Sequence, residues 1–241
     1  MNGVQALSAI NNRPTAVVIA DQLRESIING AFTSGDQINE ARVATQLNVS
    51  RGPVREALHR LVQEGLLISR PNRGVFVREI TEHDIAEVYE AREVIECAAA
   101  EIITKRADDA RATVADELET YLGGMQHAIA ANDWTGLSRI DLDFHTKLVE
   151  AGGNTRLLRA YQTLATEALI CMNHLSDSYP QPDRVIPGHE EIIANLRSGD
   201  MTAVHLTLHQ HLTLDSYELH THDDDGSLRH GRNEEDVHAG V

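Results

Sequence analysis

The sequence predicts a mainly α-helical protein in two parts: a small N-terminal helix-turn-helix unit closed by a β-hairpin, then a larger antiparallel bundle built from helices alone. Three observations carry this. Apolar residues recur at helical spacing along almost the whole chain. The one segment with strand character, residues 66–77, is short and centred on Arg70-Pro71-Asn72-Arg73-Gly74. The charge divides at the same place. Of 241 residues, 37 are acidic and 21 basic, a formal charge of −16. Residues 1–80 carry nine arginines and seven acidic side chains, net +2, so the remainder carries −18. Within residues 50–78, six arginines stand against only Glu56 and Glu64, a local +4. A short cationic segment therefore sits on a protein whose bulk repels polyanions.

The elements follow in order. A helix is expected over residues 16–29, where Ile19, Leu23 and Ile27 recur every four residues and Gly30 ends the run. A turn-rich stretch leads to a short helix at 40–47 with Val43, Ala44 and Leu47 on one face. Asn48 stands at the junction, where a tight turn calls for positive φ that asparagine tolerates. Ser50 is placed as an N-cap, and Pro53 falls in the first turn, where a missing N–H costs nothing. Val54, Ala57, Leu58, Leu61 and Val62 then form the buried stripe of a helix ending at Gly65. Leu66–Ile68 and Val75–Val77 form the hairpin. Helix-turn-helix followed by hairpin is a winged helix, compact over residues 14–78 and assigned residues 1–80.

From Thr81 onward no strand signal appears. Thr81 and Asp84 have the spacing of a capping box. Six apolar stripes follow, at about 84–106, 108–131, 133–151, 155–176, 186–198 and 200–220, giving an antiparallel bundle over residues 81–222. Residues 223–241 are polar and expected to form a disordered tail. No run approaches the roughly 20 apolar residues that span a bilayer, and no charged segment followed by an apolar one opens the chain. A cytoplasmic protein without a membrane partner is expected. Cys97 and Cys171 are read as reduced core thiols.

On the helix beginning after Ser50, burying Val54, Leu58 and Leu61 leaves Arg51, Arg55 and His59 on the opposite face. The second helix of a helix-turn-helix presents such residues to the major groove. Arginine suits the task because its fork bonds guanine O6 and N7 bidentately or clamps a phosphate. The alternative for Arg55 is an ion pair with Glu56 or Glu25. In the hairpin, Gly74 permits close backbone approach to DNA, and Arg73 or Arg70 can meet phosphate.

The run Val49-Ser50-Arg51-Gly52-Pro53-Val54-Arg55-Glu56-Ala57-Leu58, then Glu64-Gly65-Leu66-Leu67 and Pro71-Asn72-Arg73-Gly74-Val75-Phe76-Val77, resembles the N-terminal domain of the GntR family of bacterial transcription regulators. The resemblance implies operator contacts for Arg51 and Arg55 and a wing tip at Gly74. Gly52 stands where threonine is usual and Asn48 where glycine is. Ala41 occupies a slot where some members carry a DNA-touching arginine, so Arg42 beside it carries over weakly.

In the bundle, Asp141 and His145 lie one helical turn apart. They are a pair of ligands for a divalent metal or, alternatively, a hydrogen-bonded Asp–His pair. His189 and His211 lie on later helices among core leucines and isoleucines, and ligands projecting from several helices can meet in a bundle. Asp141-x-x-x-His145, Gly152-Gly153-Asn154, Leu157, His189, Asp200 and His211 are similar to the FCD ligand-binding domain of FadR-like GntR regulators over about residues 83–220. The resemblance implies that Asp141, His145, His189 and His211 hold a divalent cation such as zinc or nickel, with positions left for water or an effector carboxylate. Arg92 is the candidate to orient that carboxylate, or else pairs with Glu96 at i+4. Asn173 is a second candidate effector contact. The other ten of the 13 histidines are read as bystanders.

The expected function is a homodimeric regulator, by default a repressor, that binds a pseudo-palindrome of double-stranded operator DNA and responds to a small organic acid. Two alternatives remain open at this stage: a metal-dependent hydrolase or lyase using the Asp/His site, and a pure metal sensor.

Overall fold

The computed structural model describes residues 13–174 and 184–213. The winged-helix part consists of α1 (Thr15–Ile28), β1 (Gln37–Ile38), α2 (Glu40–Gln46), α3 (Arg51–Gln63), β2 (Leu67–Arg70) and β3 (Gly74–Val77). Asn39 caps α2 by accepting the amide protons of Ala41 and Arg42. Asn48 turns the chain with φ +51°, as its position between the two helices requires. Ser50 has the extended backbone of an N-cap, but its hydroxyl makes no capping bond. The reason lies three residues on: Pro53 occupies a position whose N–H an N-cap side chain ordinarily receives, and it has none to give.

The hairpin belongs to a three-stranded antiparallel sheet in the order β1-β3-β2. Leu67 pairs with Val77 and Arg70 with Gly74, while Gln37 pairs with Phe76 on the other edge of β3. Two residues are too few for a period-two signal, so β1 was not expected from sequence. It exists because β3 offers a free edge. The crest of the wing is Pro71–Arg73, and Gly74 is its first rung rather than its tip. Gly74 has φ +101°, and a methyl there would lie 2.9 Å from Gln37 Nε2, which donates to the Arg73 carbonyl at 2.7 Å. Both facts demand glycine.

The bundle comprises α4 (Glu82–Thr104), α5 (Asp108–Glu119), α6 (Leu122–Ala130), α7 (Trp134–Ala151), α8 (Thr155–His174), α9 (Val185–Ser198) and α10 (Met201–Leu212). Thr81 and Asp84 form the expected capping box on α4. The stripe at 108–131, read as one helix, is two. Thr120 Oγ1 turns back onto the Glu117 carbonyl at 2.7 Å, and the following Gly123-Gly124 has little propensity to carry α5 onward. The bundle therefore has seven helices among the described residues instead of six. The expected tail and the stretch of the last stripe beyond residue 213 lie outside the described residues. Cys97 is half-buried and Cys171 buried, both free, and burial first of all pushes their thiols up to about 11 and about 12.

Each part has its own core. Ile19, Leu23, Val54, Leu58, Leu61, Leu66 and Val77 belong to one, while Ile85, Tyr89, Ile103, Leu118, Phe144, Leu148, Ile192 and Leu208 belong to the other. Ile170 of α8 packs against both. The two parts are also pinned by polar contacts. Arg78, between β3 and α4, pairs with Glu167 of α8 at 3.1 Å and with Asp84. Arg139 of α7 holds Glu25 of α1 bidentately at 2.7 and 3.1 Å.

Candidate metal centre and nucleic-acid interface

Helical spacing on α7 puts Asp141 and His145 on the face that also buries Leu137, Phe144 and Leu148. α9 supplies His189 beside Ile192 and Ile193, and α10 supplies His211 one turn after Leu208. The fold brings all four together: one ligand atom from each lies within 4.8 Å of the others. Asp141, His145 and His189 are buried and His211 is partly so. His189 Nε2 is 3.1 Å from Asp141 Oδ1, and His145 Nε2 is 3.8 Å from Asp141 Oδ2 and 3.1 Å from His211 Nε2. Phe144 closes one side, edge-on to His189 with ring centroids 4.6 Å apart. Gly188 makes room for the fourth ligand, since a methyl there would sit 3.0 Å from His211 Nδ1.

The tautomers follow from the partners. His189 Nδ1 lies 2.8 Å from the Val185 carbonyl, which can only accept, so Nδ1 carries the proton and the Nε2 lone pair is bare in the neutral ring. That Nε2 is buried without a hydrogen-bond partner despite its nearness to Asp141. His145 Nδ1 likewise lies 2.6 Å from Glu96 Oε2, which leaves its Nε2 bare as well. The bare Nε2 atoms of His145 and His189 thus converge with the Asp141 carboxylate, and only His211, 3.1 Å from His145 Nε2, can place a proton among them; a divalent cation would satisfy all four groups at once. The donor set, three imidazoles and one carboxylate, fits a borderline divalent metal such as zinc or nickel.

Electrostatics agree with ligation. Burial alone would raise the Asp141 carboxyl, but the close approach of His189, and after it the neighbouring His145 ring, hold it well below the usual carboxylate range. Burial, and then the neighbouring His189 and His145, push His211 well below its ordinary value, so its imidazole is neutral and ready to coordinate.

Sequence reasoning missed Glu96 as a partner of the site. It is fully buried and takes Tyr161 OH at 2.9 Å and Arg92 Nε at 3.2 Å on Oε1, while Oε2 serves His145. The signal was present in α4: Ile85, Tyr89, Arg92, Glu96, Ala99 and Ile103 form one buried stripe, and two charges on an apolar stripe call for each other and for more. Arg92, only 1% exposed, makes the pair with Glu96 that its spacing allowed, and its Nη2 remains buried without a partner. Asn173 bonds to α1. Its amide donates to the Ile28 carbonyl of α1 at 3.2 Å. His209 pairs with Glu93 at 2.9 Å, as befits a bystander. His220, His222, His230 and His238 lie outside the described residues.

On the winged part, Arg42, Arg51, Arg55 and Arg73 are all exposed. Arg55 pairs with Glu40 of α2 at 2.9 Å, a carboxylate that neither expected alternative named. That hydrogen bond, and to a lesser degree the nearby charge of Arg51, lowers the Glu40 carboxyl.

Comparison with known proteins bears on both halves. The model for bacterial regulatory proteins of the gntR family matches residues 15–77, and that for the FCD domain matches residues 87–214. The chain is 30% identical over 214 residues to the "Probable D-xylose utilization operon transcriptional repressor" of Paenarthrobacter nicotinovorans, covering 86% of this chain and 91% of that one. It is 30% identical over 206 residues to the gluconate operon transcriptional repressor of Bacillus subtilis (strain 168), 83% of each. A solved structure assigned to a transcriptional regulator GntR from Rhodococcus sp. RHA1 has TM-score 0.70 at 28% identity, covering 83% of this chain and 95% of that one. Among the described residues no helix is long and apolar enough to cross a membrane.

Proposed function

Since the chain belongs to the GntR family of bacterial regulatory proteins and carries an FCD domain, it is a DNA-binding transcriptional regulator and not an enzyme, and we propose that it is a homodimeric repressor whose bundle holds a divalent cation and a small organic acid. The observation that carries the proposal is the convergence of Asp141, His145, His189 and His211, with the Nε2 atoms of His145 and His189 bare. The cation supplies a fixed positive charge that an effector carboxylate can bind. Arg92 supports an acid effector as well: its Nη2 is a buried donor in need of an acceptor, and leaving it unmet is costly. Asn173 is assigned to the contact with α1 instead, because its amide is already committed to the Ile28 carbonyl.

In this reading α3 enters the major groove with Arg51 and Arg55 toward base edges, while Arg42 and the wing residues Arg73 and Gly74 approach the backbone. A two-fold dimer presents two such helices, so the operator is a short pseudo-palindrome. The acid acts by binding one arrangement of bundle and winged domains more tightly than the other. Relatives named for gluconate and D-xylose operons make sugar acids the first ones to try.

The test is a thermal-shift panel of sugar acids, hydroxy acids and dicarboxylates on zinc-loaded protein, followed by operator mobility shifts with any acid that stabilises it. A stabilising acid that releases DNA supports the reading. If zinc fails to bind, or operator affinity responds to metal concentration alone and to no acid, the acid-responsive reading fails.

A further inference from the structure

Every atom of the Glu96 carboxylate is engaged by a donor, and each donor belongs to a different part of the bundle. Oε2 accepts the Nδ1 proton of His145 on α7, and Oε1 accepts Tyr161 OH of α8 and Arg92 Nε of its own helix. Glu96 and His145 have no exposed surface, and Arg92 has 1%. A buried carboxylate is retained only when its charge and lone pairs are met.

We infer that Glu96 is a positioning residue for the metal centre: it fixes the His145 ring so that Nε2, and not Nδ1, faces Asp141 and His211, and Arg92 and Tyr161 in turn fix Glu96. This rests on the metal-binding reading above. The bond through Nδ1 settles both ring orientation and tautomer. Partners of this kind strengthen a ligand by removing the freedom it would otherwise lose on binding metal. Glutamine cannot replace it. All three partners donate, and glutamine would turn an NH2 against one of them.

The experiment is competition between the full-length protein and a chromophoric chelator for Zn2+, with the Co2+ absorption spectrum as a second readout, on wild type, Glu96→Gln and Tyr161→Phe. Wild type should bind zinc, Glu96→Gln should bind it about 10–100-fold more weakly, and its Co2+ bands should shift. Tyr161→Phe, which loses one tether of the carboxylate and keeps the ligands, should weaken zinc a few-fold. If Glu96→Gln folds, as judged by circular dichroism and melting in EDTA, and binds zinc like wild type with an unchanged Co2+ spectrum, the inference is overturned. A purely structural Glu96 would lower the EDTA melting temperature and leave both metal readouts alone. If Glu96→Gln does not fold, unchanged zinc affinity in Tyr161→Phe overturns it. Wild type that binds no zinc defeats the metal-binding reading instead.

Discussion

Arg55 of α3 and Glu40 of α2 are joined by two hydrogen bonds, 2.9 and 3.2 Å long, across the turn of the helix-turn-helix. The arginine is otherwise exposed, so the pair does little for stability. It does orient a guanidinium on the face assigned above to DNA. Replacing Arg55 by alanine should lower specific operator affinity by about 1–3 kcal/mol, the worth of one bidentate base contact. Fluorescence anisotropy at fixed salt measures this. An unchanged binding curve would show that α3 does not read the operator through Arg55.

Arg73, on the crest of the wing, and Arg42, on α2, are assigned to phosphates. Alanine at either should weaken binding to specific and unrelated DNA alike, and should reduce the slope of log affinity against log salt by about 1. A loss confined to one base position, with the slope intact, would mean that the residue reads sequence.

Removing one ligand should empty the metal centre. His189→Ala leaves Asp141 without its nearest imidazole, so zinc binding should fall well below one equivalent. With zinc at 100 times its dissociation constant, wild type should gain about 2.7 kcal/mol on loading, a melting shift of roughly 5–10 °C. The variant should show almost none, and an equal shift in both proteins would remove His189 from the ligand set.

The metal-free protein should lose stability in mild acid. The His211 imidazole is held well below its ordinary value of 6.5, chiefly by burial and then by His189 and His145. The unfolded chain therefore takes up this proton first as pH falls, so the stabilisation is present above pH 6.5 and lost below it. In EDTA the melting temperature should drop from pH 7 to about pH 5, and His211→Gln should flatten that slope. An identical slope in wild type and variant would mean that His211 does not contribute.

Gly65, after α3, has φ +76°, and a methyl there would come within 2.7 Å of Glu167 Cδ. Glu167 is also the α8 residue that pairs with Arg78. Gly65→Ala should cost about 1–2 kcal/mol from the left-handed backbone alone and should disturb this contact between the two parts. Chemical denaturation measures the loss. A neutral effect would show that the chain relaxes freely at this junction.

Much of this was legible in the sequence because local rules sufficed. Periodicity located the helices, Thr81 and Asp84 announced a capping box, Asn48 marked the turn, and one-turn spacing put Asp141 beside His145. Other features depended on neighbours far along the chain. β1 needed the free edge of β3, Ser50 lost its capping bond to Pro53, and the break between α5 and α6 came from Thr120 and two glycines inside an unbroken apolar stripe. The sequence by itself determined the two-part mainly helical architecture and the cationic face of α3, because spacing and charge are local properties, while the set Asp141, His145, His189 and His211 came from the resemblance to the FCD domain. Only the tertiary structure decided that Glu40 holds Arg55, that Asn173 serves the contact with α1, and that Glu96 joins Arg92, Tyr161 and His145. A buried charge takes its partners from whatever the packing brings within reach, and those partners here lie 65 and 49 residues away as well as four.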